Sequence, residues 1–341
     1  MFSKEEKIQK LFFYWLLSSL ILVFLIIIIG GFTRLTNSGL SIVEWELFKG
    51  IFPPTNAKTW DLYFEKYKTI PQYKLLNFNM TLDEFKIIFF WEYIHRMFAR
   101  LIGLFFLLPL IFFYFSKKIN KNYIKTCILV FLLISFQGFI GWYMVKSGLV
   151  HNTTVSHYRL ALHLSIAIII ISTIFWMLKN INNKKEKLFF KFSKDYLPYQ
   201  FLLIIFFLQI IFGAFVSGLD AGMIYQTWPL MGNTYLPDDI LLVNFESYID
   251  FNNRSLIQFY HRNLAYFIII YVIFLIIFIY KNRIKNLFKP TLYLFLILFL
   301  QIFLGIFTLL SGLNIFLASA HQISSVLLIF SALNLYFFKV K

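Results

Sequence analysis

The chain is poor in the residues that build most soluble catalytic centres. It has one cysteine in 341 residues, Cys127, so it can form neither an intrachain disulfide nor a cysteine-metal cluster. Acidic residues are scarce, 16 Asp and Glu against 32 Lys and Arg, and only 14% of the chain is charged. Clustered carboxylates able to hold a hard cation are therefore not expected. The net charge of +16 is not a nucleic-acid footprint, because the Lys residues fall in short loops between apolar blocks.

What is present is hydrophobic. Apolar residues make up 60% of the chain, against roughly 45–50% in a soluble domain. They gather in blocks long enough to cross a bilayer as helices, near 10–31, 86–115, 123–145, 157–178, 197–219, 256–280, 290–311 and 315–338. The blocks are continuously apolar and do not alternate, which favours helices over a β-barrel. The expected fold is an all-α membrane protein with eight transmembrane helices.

Basic residues fix its orientation. They cluster after the second, fourth and sixth spans, for example Lys117 and Lys118, Lys184 and Lys185, and Lys281 and Arg283. The loop after the fifth span instead carries Asp220, Asp238, Asp239, Glu246 and Asp250. Both termini are expected in the cytoplasm, with the other loops outside. The first span is read as a retained helix and not a signal peptide.

The chain repeats itself. Gly30-Gly-Phe after the first span answers Gly213-Ala-Phe after the fifth, 183 residues on. Glu92-Tyr-Ile-His95-Arg96 answers Gln258-Phe-Tyr-His261-Arg262 at an offset of 166. Gln137-Gly-Phe-Ile-Gly141 answers Gln301-Ile-Phe-Leu-Gly305 at 164, and His163 answers His321 at 158. Four matches in one order predict two pseudo-symmetric four-helix bundles, residues 1–180 and 181–341, both entering the membrane in the same sense. The long outer loop, 32–85, holds Trp45, Pro53-Pro54 and Trp60 and is placed to cap a site.

Of six histidines, His151 and His157 sit in or beside a loop and are expected to be solvated. The other four, His95, His163, His261 and His321, lie five to nine residues inside the outer ends of the even-numbered spans. That is a depth of roughly 8–14 Å. Ionisable groups at such depth are costly and usually functional. Imidazole pairs facing each other in a bundle suit a metal cofactor. With no thiolate or carboxylate cluster beside them, bis-histidine haem fits best. Pairing within each half gives two haem sites, His95 with His163 and His261 with His321. Arg34, Arg96, Arg100, Arg159 and Arg262 lie near these histidines and are candidate partners for haem propionates. Gly30, Gly31, Gly103, Gly138, Gly141, Gly213 and Gly305 offer room for a flat ligand or for close helix packing.

The halves differ at one telling position. Glu92 lies three residues before His95, on the same helix face; its counterpart is Gln258. A carboxylate can act as a base or stabilise positive charge, and an amide cannot act as a base. The chemistry is therefore expected in the first half.

These residues resemble the haem A synthase family over nearly the whole chain. The matching motifs include Gly-Gly-Phe-Thr-Arg-Leu-Thr-Asn-Ser-Gly-Leu-Ser (30–41), Glu-Tyr-Ile-His-Arg (92–96), Tyr-Arg-Leu-Ala-Leu-His-Leu (158–164) and Tyr-Gln-Thr-Trp-Pro-Leu-Met (225–231). The resemblance implies an oxidoreductase that turns the C8 methyl of haem O into a formyl group, giving haem A for cytochrome oxidase. It implies substrate haem at His95 and His163, a haem b cofactor at His261 and His321, and Glu92 as the catalytic acidic residue. It also implies an electron acceptor that the sequence does not identify, and a haem O synthase as a candidate partner by pathway alone. One branch of the family carries an outer-loop cysteine pair that this chain lacks, so the chain is similar to the proteobacterial and mitochondrial branch. Without an evident presequence, the expected location is a bacterial inner membrane. The competing readings are a non-catalytic di-haem electron-transfer cytochrome, which would tolerate Glu92→Gln, and a proton-handling transporter, which would be colourless.

Overall fold

The structure is a computed structural model describing residues 4–45, 49–151, 153–237, 239–240 and 244–340. Asp238 and the side chain of His151 lie outside the described residues. Eight described helices are long and apolar enough to cross a membrane. They are α1 (Lys4–Leu35), α4 (Leu82–Ser116), α5 (Lys121–His151), α6 (His157–Asn182), α7 (Leu197–Gly218), α9 (Arg254–Lys281), α10 (Phe288–Leu310) and α11 (Ile315–Lys339). Three shorter helices lie in the connections: α2 (Ala57–Lys68), α3 (Pro71–Leu76) and α8 (Phe245–Tyr248).

All eight expected spans are present, and several helices run past the apolar blocks. Hydropathy reports only the stretch that crosses hydrocarbon, whereas backbone hydrogen bonding continues until a cap stops it. Helix α4 starts at Leu82 because Thr81 and Glu84 form a reciprocal capping box. Simple side-chain caps start two others: Asn253 accepts from the Leu256 N–H at α9, and Asn314 accepts from the Phe316 and Leu317 N–H groups at α11. Leu108, Phe112 and Phe115 on α4 and Leu296, Phe299 and Phe303 on α10 are exposed, as lipid-facing side chains are.

The chain divides into two compact units, residues 1–174 and 175–341. In the first, α4 packs against α1 and α5. Phe12 and Trp15 of α1 meet Phe106 and Phe113 of α4, and the Trp15 indole donates to the Phe105 carbonyl at 3.1 Å. In the second, α7 pairs with α9 and α10 with α11, and α7 also meets α11.

The long connection between α1 and α4 has a core of its own. Leu40, Ile42, Phe64, Tyr67 and Ile70 bury against Phe85, Ile88 and Phe89 at the start of α4. Trp60 packs edge-on against Phe89, with ring centroids 5.0 Å apart. The fully buried Tyr67 hydroxyl donates to Gln72 Oε1 at 3.0 Å and accepts from Asn77 Nδ2 at 2.7 Å. Gln72 in turn donates to the Asn37 carbonyl at 3.1 Å. Burial raises the Tyr67 pKa above its ordinary value, so the hydroxyl stays a neutral donor in this network.

Candidate functional site

Each of the four matched histidines faces a glycine on a neighbouring helix. A Cβ placed on Gly30 of α1 would lie 3.0 Å from His95 Cε1 on α4. On Gly141 of α5 it would lie 3.2 Å from His163 Cε1 on α6. The second unit repeats the arrangement: Gly213 of α7 against His261 of α9 at 3.2 Å, and Gly305 of α10 against His321 of α11 at 2.9 Å. The glycine therefore sets how closely the imidazole approaches its neighbouring helix. Gly103 and Gly138 have no atom within 4 Å of such a Cβ and face no histidine.

The first pair comes together. The His95 and His163 rings lie with centroids 6.5 Å apart and planes inclined by 54°. Two imidazole nitrogens bound to opposite sides of one metal at about 2.0–2.1 Å put their ring centroids about 6.3 Å apart. His261 and His321 occupy the matching positions of the second unit, each against its own glycine. Among the described residues no three His, Cys, Asp or Glu side chains converge as a metal site. Paired imidazoles need the remaining ligands from the group they bind, and a porphyrin supplies four nitrogens in its plane.

The His321 tautomer can be read directly. Its Nδ1 lies 3.1 Å from the Gln301 carbonyl, which can only accept. Nδ1 must therefore carry the proton, leaving the Nε2 lone pair for a metal. His95 and His163 each keep a buried Nδ1 without a hydrogen-bond partner, so no partner sets their tautomer and either ring nitrogen can face a metal. Both pairs thus fit an iron porphyrin.

Glu92 is almost fully buried, at 3% exposure. Arg96 Nη2 donates to its Oε1 at 2.5 Å. Ser41 Oγ and the Ile42 backbone N–H donate to Oε2 at 2.7 and 2.9 Å. The carboxylate thus fastens the start of the long connection to α4, one turn from His95. Gln258, its counterpart, fastens the other connection with reversed polarity: its Nε2 donates to the Tyr225 carbonyl at 2.9 Å.

The arginines sort into groups. Arg96 donates to the Ile42 carbonyl at 2.9 Å and stacks 5.2 Å from the Trp45 ring. Arg262 donates to the carbonyls of Tyr225 and Thr227, each at 2.9 Å. Both therefore hold connection backbone in this structure. Arg34 donates to Asn37 Oδ1 at 2.8 Å. Arg159 donates to Ser147 Oγ and lies over the Tyr143 ring. Arg100 meets Met97 Sδ at 3.7 Å and joins Arg96 in lining a crevice with Ile42, Glu44, Tyr63 and Tyr93.

One expectation fails. His157 is buried at 7% exposure instead of solvated. It opens α6 with its ring centroid 4.0 Å from that of Tyr158, so the helix start packs where the sequence suggested a loop edge.

Sequence reasoning also missed Gln209, whose Nε2 donates to the His261 carbonyl at 3.0 Å and lies 3.2 Å from its Nδ1. It precedes Gly213 by four residues, as Gln137 precedes Gly141 and Gln301 precedes Gly305. Beginning the repeat comparison one turn earlier in the fifth span would have exposed it.

A multi-span helical membrane protein with paired histidines belongs to a recognisable class, and the sequence comparisons agree. The family of cytochrome oxidase assembly proteins, COX15-CtaA, matches residues 13–333, and the chain belongs to that family. Its relatives are more specific. It is 45% identical over 334 residues to a protein named Heme A synthase from Pelagibacter ubique, covering 97% of each chain. It is 46% identical over 268 residues to the Heme A synthase of Rickettsia bellii, covering 77% of this chain and 79% of the relative. Membership in this family implies that haem is involved.

Proposed function

We propose that this chain makes haem A for cytochrome oxidase by oxidising the C8 methyl of haem O to a formyl group. The observation that carries the reading is the inequality of two otherwise matched histidine pairs, one with Glu92 beside it and the other with Gln258. The names of the full-length relatives agree with it.

The overall change, R–CH3 + H2O → R–CHO + 4 H+ + 4 e−, takes the oxygen from water, releases two protons from the methyl and two from the water, and passes four electrons to an external electron acceptor. His95 and His163 hold substrate haem in the first unit. His261 and His321 hold a resident haem b, whose chemistry when bound is the reversible one-electron change of its iron. Glu92 contributes a fixed negative charge one helical turn from His95. There it steadies developing positive charge at the substrate and offers a proton acceptor. Arg96, Ser41 and the Ile42 N–H hold that carboxylate in place. The folded connection packed on α4 helps to keep water from the first pair. Arg34, Arg100 and Arg159 are the arginines we assign to propionates. In Arg96 and Arg262 we see mainly fasteners of the connections.

In this reading the chain lies in a bacterial inner membrane with both termini in the cytoplasm. The basic loops after α4, α6 and α9 support that orientation. The histidine pairs then lie toward the periplasmic side. Acid–acetone extraction and chromatography of haems from cells making haem O provides the test. Haem A should appear only when the protein is present. Bound haem b with no formyl product, in cells shown to contain haem O and oxidant, would favour an electron-transfer cytochrome.

A further inference from the structure

We infer that the connection between α6 and α7 is a docking surface for anionic lipid, in which Leu188, Phe190 and Phe192 enter the bilayer interface and Lys184, Lys191 and Lys194 meet lipid phosphates. The inference needs the eight spans but not the haem reading.

The segment alternates. Lys187 and Phe189 are half-buried against the second unit, while Leu188, Phe190 and Phe192 are 70%, 71% and 86% exposed. Its backbone is strapped down. The Trp176 indole and Asn180 Nδ2 donate to the Lys187 carbonyl at 2.9 and 3.0 Å, and the Lys187 N–H donates to Asn180 Oδ1 at 3.0 Å. Tyr336 OH donates to the Phe189 carbonyl at 2.8 Å, and Gln200 Nε2 donates to the Lys191 carbonyl at 3.1 Å. Lys187 Nζ donates to the Phe337 carbonyl at 2.7 Å and to the Val340 carbonyl, at the negative end of α11. These bonds hold outward three large apolar side chains that the fold does not cover.

Position and charge favour lipid as the occupant. Helix α6 has 26 residues, about 39 Å of helix, against roughly 30 Å of hydrocarbon. Its end and the segment that follows therefore lie among headgroups and not in open solvent, until α7 begins at Leu197. Between Lys184 and Asp195 five lysines stand against two acidic residues. Lysines beside aromatic side chains are what an anionic membrane surface binds. The connections after α4 and α9 emerge on the same side, because an even number of spans precedes each. They turn their apolar side chains inward: Ile119 and Leu287 are buried and Ile284 is half-buried. The exposed apolar row is thus particular to this connection.

The test uses the full-length protein in nanodiscs of equal parts phosphatidylcholine and phosphatidylglycerol. In a Cys127→Ser background, a spin label at Phe190→Cys should collide more with oxygen than with a water-soluble nickel chelate, as a lipid-immersed group does. A label at Lys285→Cys, in the connection after α9, should do the reverse. Nickel reaching both labels equally would overturn the inference and leave the surface to a protein partner. A second measurement needs no cysteine change: mass spectrometry of the lipids that the detergent-purified protein retains from an equal mixture of the two. Lys184→Gln/Lys191→Gln/Lys194→Gln should lower the ratio of phosphatidylglycerol to phosphatidylcholine at least about fivefold, the contribution of one lysine at an anionic surface. Lys117→Gln/Lys118→Gln/Lys121→Gln, in the connection after α4, should lower it less. A loss in the first variant no greater than in the second would also overturn the inference.

Discussion

The two connections that follow α1 and α7 do the same work with opposite chemistry. After α1, backbone and hydroxyl donors of the connection converge on the Glu92 carboxylate, and Arg96 closes the group. After α7, the amide of Gln258 and the guanidinium of Arg262 both donate to the Tyr225 carbonyl. The second arrangement needs no buried anion. The first keeps one, and burying a charge is costly unless it is paired and hydrogen-bonded. An amide fastens a connection well enough at one site, so the anion at the other points to a use beyond fastening.

The largest expected effects come from the histidines. His261→Ala or His321→Ala should abolish stable haem binding at the second pair, read by the loss of its Soret absorbance. Next comes Glu92→Gln, which converts the first fastening into the second. We expect turnover to fall about 10²–10⁴-fold, with the second haem retained. Wild-type turnover in this variant would reduce Glu92 to a fastener and make the two connections equivalent.

Glycine substitutions sharpen the comparison at a smaller scale. Gly305→Ala puts a methyl 2.9 Å from His321 Cε1 and must push the ring, and Gly141→Ala does the same to His163 from 3.2 Å. Each should weaken haem binding at its own pair and shift its spectrum. Gly103→Ala and Gly138→Ala, with open space around them, should leave both spectra unchanged.

The smallest effect lies in the second connection. Partial burial alone would raise the Asp239 carboxyl pKa. Hydrogen bonds from Ser255 Oγ at 2.6 Å and Tyr225 OH at 2.7 Å outweigh it and hold the pKa below its ordinary value. Its stabilisation is therefore present above the ordinary aspartate value near about 3.9 and is lost as pH falls through the lowered one. Asp239→Asn should cost less than about 1 kcal/mol at neutral pH, because the group is exposed. Thermal unfolding in detergent at pH 7 and pH 3 reads the difference.

Much of this was visible in the sequence because the membrane enforces it. Eight apolar blocks have few alternatives to eight helices, and imidazoles within them have few bland uses. Glycine and histidine could be matched between halves because both recur in the same order. The folded connection was harder to read. Its helices α2 and α3 are short, and their burial depends on Phe85, Ile88 and Phe89, which hydropathy assigns to the next span. The partners of Glu92 were also hidden, since Ser41 and Ile42 lie about fifty residues away in the chain. His157 misled because a helix start and a loop edge carry the same sequence signal.

The central claim is that the first pair holds substrate and the second a resident haem. Haem analysis of purified His95→Ala and His321→Ala proteins, made in cells containing both haem b and haem O, tests it most directly. We predict that His95→Ala keeps haem b and carries neither haem O nor haem A, and that His321→Ala loses its haem b. Haem b lost from His95→Ala and kept by His321→Ala would contradict the account.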